Sequence, residues 1–153
     1  MAEELKVVVF TLGEEEYGIE VEKVKTIERM LPITRVPKTY DFIKGVINLR
    51  GVVVPVIELR GRFGLPSAEV TEQSRIIIVA YEDLEVGFIV DSANDVIDIM
   101  DEDIEPAPEV VGGIQAKYLR GVAKIGDDRL LIMLHLAEVL NKSEIIRLEQ
   151  LEA

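Results

Sequence analysis

The residues able to do covalent chemistry are few. His135 is the only histidine and there is no cysteine. That removes disulfides, thiolate metal sites and cysteine nucleophiles. Ser92, His135 and an aspartate could in principle form a hydrolytic set, but no nucleophile-elbow pattern surrounds Ser92. His135 reads better as a partly exposed residue at a helix start. Asp101, Asp103 and Glu105 begin like a calcium loop, yet Pro106 stands where the turn glycine is needed. Asp91, Asp95 and Asp98 miss the ligand spacing altogether. No phosphate-binding or dinucleotide glycine pattern occurs. The expectation is therefore a protein with no catalytic residue, no metal and no cofactor.

Recognition chemistry is better represented. The stretch Phe42-Ile43-Lys44-Gly45-Val46-Ile47-Asn48-Leu49-Arg50-Gly51 leads straight into Val52-Val53-Val54-Pro55-Val56. It reads as a hairpin with an arginine at its tip. Asn48 can open the turn through its side chain, and Gly51 can take a positive φ. Arg50 then projects a planar cation with five donors from a rigid base, a common kind of interface anchor. The plain alternative is a solvated turn arginine.

Four strand–turn–strand units must position that hairpin. They are Val7–Leu12 with Tyr17–Val21, Gly45–Leu49 with Val52–Ile57, Ile76–Tyr81 with Glu85–Val90, and Tyr118–Ile125 with Arg129–Leu134. Valine and isoleucine crowd them, and Gly or Asp marks most turns. Pro55 lacks a donor, which predicts an edge strand or a bulge there. Val21, Val24 and Ile27 recur at helical spacing, Glu58–Phe63 suits a helical turn, and helix is expected from about His135 onward.

An internal repeat ties the units together. Displaced by 69 positions, Val8-Val9-Phe10 falls on Ile77-Ile78-Val79, and Glu16-Tyr17-Gly18-Ile19 falls on Glu85-Val86-Gly87-Phe88. At a slightly larger offset Gly45-Val46-Ile47 matches Gly121-Val122-Ala123, and Ile57-Glu58-Leu59 matches Leu134-His135-Leu136. Gly64 to Ser74 is the seam. Each half is too small for a sandwich but suits a small closed barrel. Runs such as Val7-Val8-Val9-Phe10 and Ile76–Ala80 are apolar on both faces. One face can fill a barrel and the other can fill the junction between barrels.

The chain of 153 residues is 48% apolar with a formal charge of -12. A surface this acidic repels phosphate backbones, which argues against nucleic acid. No apolar run approaches a membrane span. Met1-Ala2-Glu3-Glu4 lacks the apolar stretch of a signal peptide, so a cytoplasmic location is expected. Segment 29–62 is mostly basic, whereas residues from Glu82 to Glu109 carry only acidic charges. Two poles suggest two faces, and their plain alternative is ordinary solvation.

The sequence strongly resembles the CheW family of bacterial chemotaxis coupling proteins. The resemblance rests on Phe10-Thr11-Leu12-Gly13, Glu16-Tyr17-Gly18-Ile19, Phe42 to Leu59, Val90-Asp91, Pro106-Ala107-Pro108-Glu109, Tyr118-Leu119 and the final helix, in order, over roughly residues 5–148. It implies an all-β fold of two packed five-stranded SH3-like β-barrels, with short helices and a C-terminal helix. Barrel one would span about 5–65 and barrel two about 75–141, with room for strands to be exchanged at the seam. It also implies a non-enzymatic scaffold that couples the histidine kinase CheA, through its regulatory domain, to the cytoplasmic tips of methyl-accepting chemoreceptors. Such a protein would be recruited to membrane arrays only through its partners, with no insertion of its own. The receptor-side positions implied are Val24, Thr26, Ile27, Lys44, Gly45, Asn48, Arg50 and Val96. Thr26 is a departure, because relatives carry there a glutamate that can pair with the turn arginine. Glu28 or Glu58 could take its place. A second implied reading is a CheA-type regulatory domain excised from a larger signalling protein. The absence of a kinase core argues for the free-standing coupling protein.

Overall fold

A strand that is apolar on both faces needs something apolar on each side, and this requirement organises the molecule. The structure is a computed structural model, and it describes residues 3–35, 43–66, 68–82, 84–106, 110–111, 114–126 and 128–140. In chain order the elements are β1 (Glu4–Leu12), β2 (Glu15–Glu20), a 3-10 turn at Val21–Lys23, β3 (Val24–Arg29), β4 (Ile43–Leu49), β5 (Val52–Glu58) and α1 (Leu59–Arg62). There follow β6 (Arg75–Tyr81), β7 (Leu84–Val90), β8 (Ser92–Met100), β9 (Ile104–Glu105), β10 (Val110–Val111), β11 (Ile114–Gln115), β12 (Leu119–Ile125), β13 (Arg129–Leu134) and α2 (Leu136–Val139). The mostly-β expectation holds, as do all four hairpins. The expected final helix beyond Leu140, and the Phe42 and Ala107–Glu109 parts of the family-like stretches, lie outside the described residues.

Hydrogen bonding groups the strands otherwise than chain order does. One main sheet runs β8-β1-β2-β13-β12-β9 and the other β3-β6-β7-β5-β4, while β10 and β11 form a separate two-stranded sheet. Under the repeat, β1 and β2 correspond to β6 and β7, β3 to β8, and β4 and β5 to β12 and β13. The order of the second sheet is thus the order of the first with the halves exchanged. Each half lends its first hairpin to the other half's sheet. The exchanged hairpins dock by parallel pairing, Tyr17 on Ile132 in one sheet and Phe88 on Ile57 in the other. Gly18 and Gly87 occupy that junction because nothing larger fits. A β-carbon at Gly18 would lie 2.5 Å from Val7 Cγ1, and one at Gly87 would lie 2.7 Å from Ile76 Cγ2.

Alternation along the strands then fills three cores. Val7, Val9, Leu131 and Met133 point into the first sheet's own core. Val54, Val56, Ile76 and Ile78 do the same in the second. Their neighbours Val8, Phe10, Ile57, Ile77, Val79, Ile132 and Leu134 meet in the shared core between the sheets. An aromatic row crosses that shared core: Phe10 and Tyr17 have centroids 5.6 Å apart, Tyr17 and Phe63 6.4 Å, and Phe63 and Tyr118 5.4 Å.

Two expectations need correction. The spacing of Val21, Val24 and Ile27 is not helical beyond the single 3-10 turn, because Val24–Arg29 is a strand with a bulge between Val24 and Thr26. The bulge shifts the apolar phase by one residue, and that imitates a three-residue period. Pro55 lies in a strand flanked on both sides, β5 between β7 and β4. It is tolerated because pairing with β7 begins only at Val56, so the missing amide falls outside that ladder.

Hairpin exchange makes the halves interdependent. Fragments 1–67 and 68–153 prepared separately should each give a disordered circular-dichroism spectrum, and mixing them should restore sheet signal with a cooperative melt. A cooperative melt from fragment 1–67 alone would contradict this topology.

Candidate protein-docking site

Among the described residues two non-glycine side chains hold a positive φ, Glu82 in the β6–β7 turn and Arg50 in the β4–β5 turn. Arg50 has φ 52° and Gly51 φ 87°, the paired positive values of a type I′ hairpin turn. Glycine, which lacks Cβ, or asparagine, whose short side chain bonds locally, usually fills the first of these positions, since other side chains cost about 1–2 kcal/mol in the left-handed region. Asn48 supports the turn by accepting the Gly51 amide at 2.8 Å. Arg50 thus holds a strained position with its side chain 70% exposed.

What it borders is a cleft of about 540 Å³ at one end of the second sheet. Val24 and Thr26 of β3 form one wall, Leu49 and Val52 the hairpin wall, and Ile78 and Ala80 the floor. Lys25 and Glu85 pair across its rim at 2.8 Å. The Thr26 hydroxyl is buried without a hydrogen-bond partner. Val52 and Val53 are more than half exposed, 53% and 54%. An apolar lining under a cationic tip, with a charged rim, suits a protein segment better than a small metabolite.

Of the residues expected on this face, Val24, Thr26 and Arg50 come together in the cleft, with Asn48 behind the turn. Glu28 takes the place of the missing glutamate at position 26, its carboxylate 3.6 Å from Arg50. That is an ion pair without hydrogen-bond geometry. Glu58 instead approaches Lys44 at 3.4 Å, and Lys44 borders a separate pocket of about 260 Å³ with Arg60 and Asp91. Gly45 has a backbone reason to be glycine: at φ 148° a β-carbon would sit 2.0 Å from the Thr34 carbonyl oxygen. There Thr34 and Val46 exchange two backbone hydrogen bonds of 2.8 Å. Ile27 points away from the cleft and Val96 lies on β8 of the other sheet, both exposed. The repeat makes them twins, since Ile27 pairs with Ile77 and Val96 with Val8. Lys25, Glu85, Leu49 and Ile78 were missed. The period-2 pattern of β3 would have shown Lys25, had the bulge not obscured it.

The residues weighed for catalysis have structural partners. His135 is exposed at the start of α2, where its Nδ1 accepts the Glu138 amide at 3.3 Å. Ser92 Oγ is 2.7 Å from Thr11 Oγ1. Asp101 accepts the Glu3 amide at 3.0 Å. Among the described residues no group of three His, Asp or Glu side chains converges as for a metal.

The charge poles touch one another. Arg60 of the basic segment makes a forked pair with Asp91 of the acidic one. Burial pushes the Asp91 carboxyl up, but Arg60 and the Gly13 amide outweigh it and hold the group below its ordinary value. Glu16 is lowered by its two hydrogen bonds from Arg129, both 2.7 Å. Burial raises the Tyr17 phenol to about 12.

A family model described as a CheW-like domain matches residues 6–144. The chain belongs to the CheW family. A CheW chemotaxis protein of Bacillus subtilis is 48% identical over 137 residues, 90% of this chain and 87% of that protein. One from Klebsiella aerogenes is 40% identical over 136 residues, 89% of this chain and 81% of that one. The solved structure of the scaffolding protein TtCheW from Thermoanaerobacter tengcongensis has a TM-score of 0.84 at 39% identity, covering 93% of this chain and 91% of that chain. The hairpin exchange and the three cores are thus the CheW architecture as this sequence builds it, and its role is that of a chemotaxis scaffold. Among the described residues no helix is long and apolar enough to cross a membrane.

Because the folded-state values of Asp91 and Glu16 lie below their unfolded values, the stability from these pairs is full above about pH 4–4.5 and is lost as pH falls through the folded values. The melting temperature of the parent should therefore drop more steeply below about pH 4 than that of an Asp91→Asn/Glu16→Gln variant. Parallel curves would show that these carboxylates are not the acid-sensitive pairs.

Proposed function

We propose that this CheW-family protein is a non-enzymatic cytoplasmic scaffold that couples the kinase CheA, through its regulatory domain, to the helical cytoplasmic tips of chemoreceptors. The whole span 5–148 acts as one module, each main sheet serving as the wall of one barrel. The observation that carries the receptor side is Arg50. It is strained in its turn, exposed, loosely paired, and placed over an apolar cleft. A guanidinium held there can bond carboxylates or exposed carbonyls on a helical hairpin while Val24, Leu49 and Val52 cover its apolar stripe. Val24, Thr26, Arg50 and the twin residues Ile27 and Val96 are the proposed contacts. Lys44 is a flanking charge, and Gly45 and Asn48 hold the hairpin. The excised-domain alternative gains no separate support from the geometry.

The strained turn gives a test that separates folding from binding. Arg50→Asn should melt at or above the parent, because asparagine suits the left-handed region and a loose exposed ion pair contributes little. The same variant should lose roughly thirtyfold in receptor-tip affinity, the usual cost of truncating a central anchor, about 2 kcal/mol. It should keep most of its binding to isolated CheA. A thermal melt and a titration with a soluble receptor-tip fragment decide it. Unchanged receptor affinity would show Arg50 to be the wrong anchor, and a lower melting temperature would show it to be structural.

A further inference from the structure

Among the described residues the chain crosses between the two main sheets at two twin places, and one of them carries a clasp by Arg60 that the other lacks. Asp91 is the single residue between β7 of the second sheet and β8 of the first. Its amide donates to the Thr11 carbonyl at 3.0 Å, and its carboxylate accepts the Gly13 amide at 2.6 Å. Thr11 and Gly13 belong to the first sheet's β1 and its turn. From the other side Arg60, in α1 directly after β5 of the second sheet, forks onto both carboxylate oxygens. Arg60 also donates to the Pro66 carbonyl at 3.0 Å, fixing the start of the connector between the halves. One carboxylate therefore joins both sheets, a crossover and the connector. The Arg60 side chain is only 17% exposed and that of Asp91 33%.

At the twin crossover, between β2 and β3, Glu22 stands in for Asp91 and is exposed, and the α2 residue matching Arg60 is Ala137. No guanidinium reaches that crossover from α2. The nearby pair, Arg120 with Glu20, joins two strands of the first sheet. The asymmetry shows that the clasp is not demanded by the architecture, since the same architecture is built without it on the other side.

The shared core between the sheets is apolar, and apolar attraction is non-directional. At the far end of α1, Arg62 adds a hydrogen bond to the Val139 carbonyl of α2 at 2.9 Å, which joins the helices rather than the crossover. A forked Arg–carboxylate pair is directional. We propose that Arg60 and Asp91 are positioning residues that set the angle between the sheets, and that this angle is what lets one molecule engage two partners at once. This rests on the coupling role proposed above. Each partner alone, docking on one face, tolerates some rotation. The assembled complex does not.

The absence of native cysteine allows a direct test. Spin labels at Val53→Cys and Leu130→Cys, exposed twins on the two sheets, report the inter-sheet distance by pulsed electron resonance. Asp91→Asn and Arg60→Gln should broaden or shift that distribution. Glu16→Gln, which breaks a forked pair lying wholly within the first sheet, should not, even where its melting temperature falls as far. Without labels, the Asp91 and Arg60 variants should bind receptor tip alone and CheA regulatory domain alone within about twofold of the parent, yet lose about fivefold or more in receptor-dependent kinase activation. Glu16→Gln should retain that activation. An unchanged distance distribution in the Asp91 and Arg60 variants overturns the positioning role. A changed distribution with activation equal to that of Glu16→Gln overturns its link to coupling. A parent protein that couples nothing refutes the coupling role itself, while the distance measurement still decides the clasp.

Discussion

Everything in this structure depends on burying strands that are apolar on both faces. A strand such as β1 cannot lie on a surface, because either side would expose valines. It must stand between two cores. A chain with two such hairpins, β1–β2 and β6–β7, satisfies this most simply by placing each one where it closes its partner half's sheet with one face and meets the shared core with the other. Exchange of hairpins, parallel docking at Gly18 and Gly87, and the central aromatic row all follow from that single requirement. The short helices add to the shared core, where Leu59, Phe63, Leu136 and Leu140 are buried.

Much of this was legible before any coordinates. The eight hairpin strands could be read because valine and isoleucine alternate or run together between Gly- and Asp-containing turns. The two-core logic could be read from Val7 to Phe10 alone. β3 and β8 were hidden for physical reasons. A bulge in β3 disturbs the phase of its apolar residues, and β8, Ser92–Met100, carries Asp95 and Asp98 in place of the usual apolar density. Which strands bond to which was beyond reach, since exchange within a repeat leaves each strand's own pattern unchanged.

The proposed docking face divides in the same way. The turn at Arg50 announced itself through Asn48 and Gly51, both local signals. The residues across from it, Lys25, Ile78 and Glu85, arrive from strands distant in sequence and needed the fold. Gly45 shows the reverse case. Family resemblance suggested a contact residue, while the geometry shows a backbone that has no space for a side chain beside Thr34. The acidic and basic segments looked like separate faces, yet Arg60 and Asp91 bring the two together inside the molecule.

The twin halves have a consequence for stoichiometry. A body with true twofold symmetry offers every partner two equal seats, and a linker built that way would bridge like with like and spread without limit. Here the order of the main strands repeats between the halves while the side chains do not. The turn that ends in Arg50 on one sheet has Gly126 at the matching place on the other, Glu58 is matched by His135, and Arg60 by Ala137. Under the coupling role proposed above, divergence at these matched positions would turn two equal seats into two different ones, so that a duplicated shape would define an ordered, one-to-one connection.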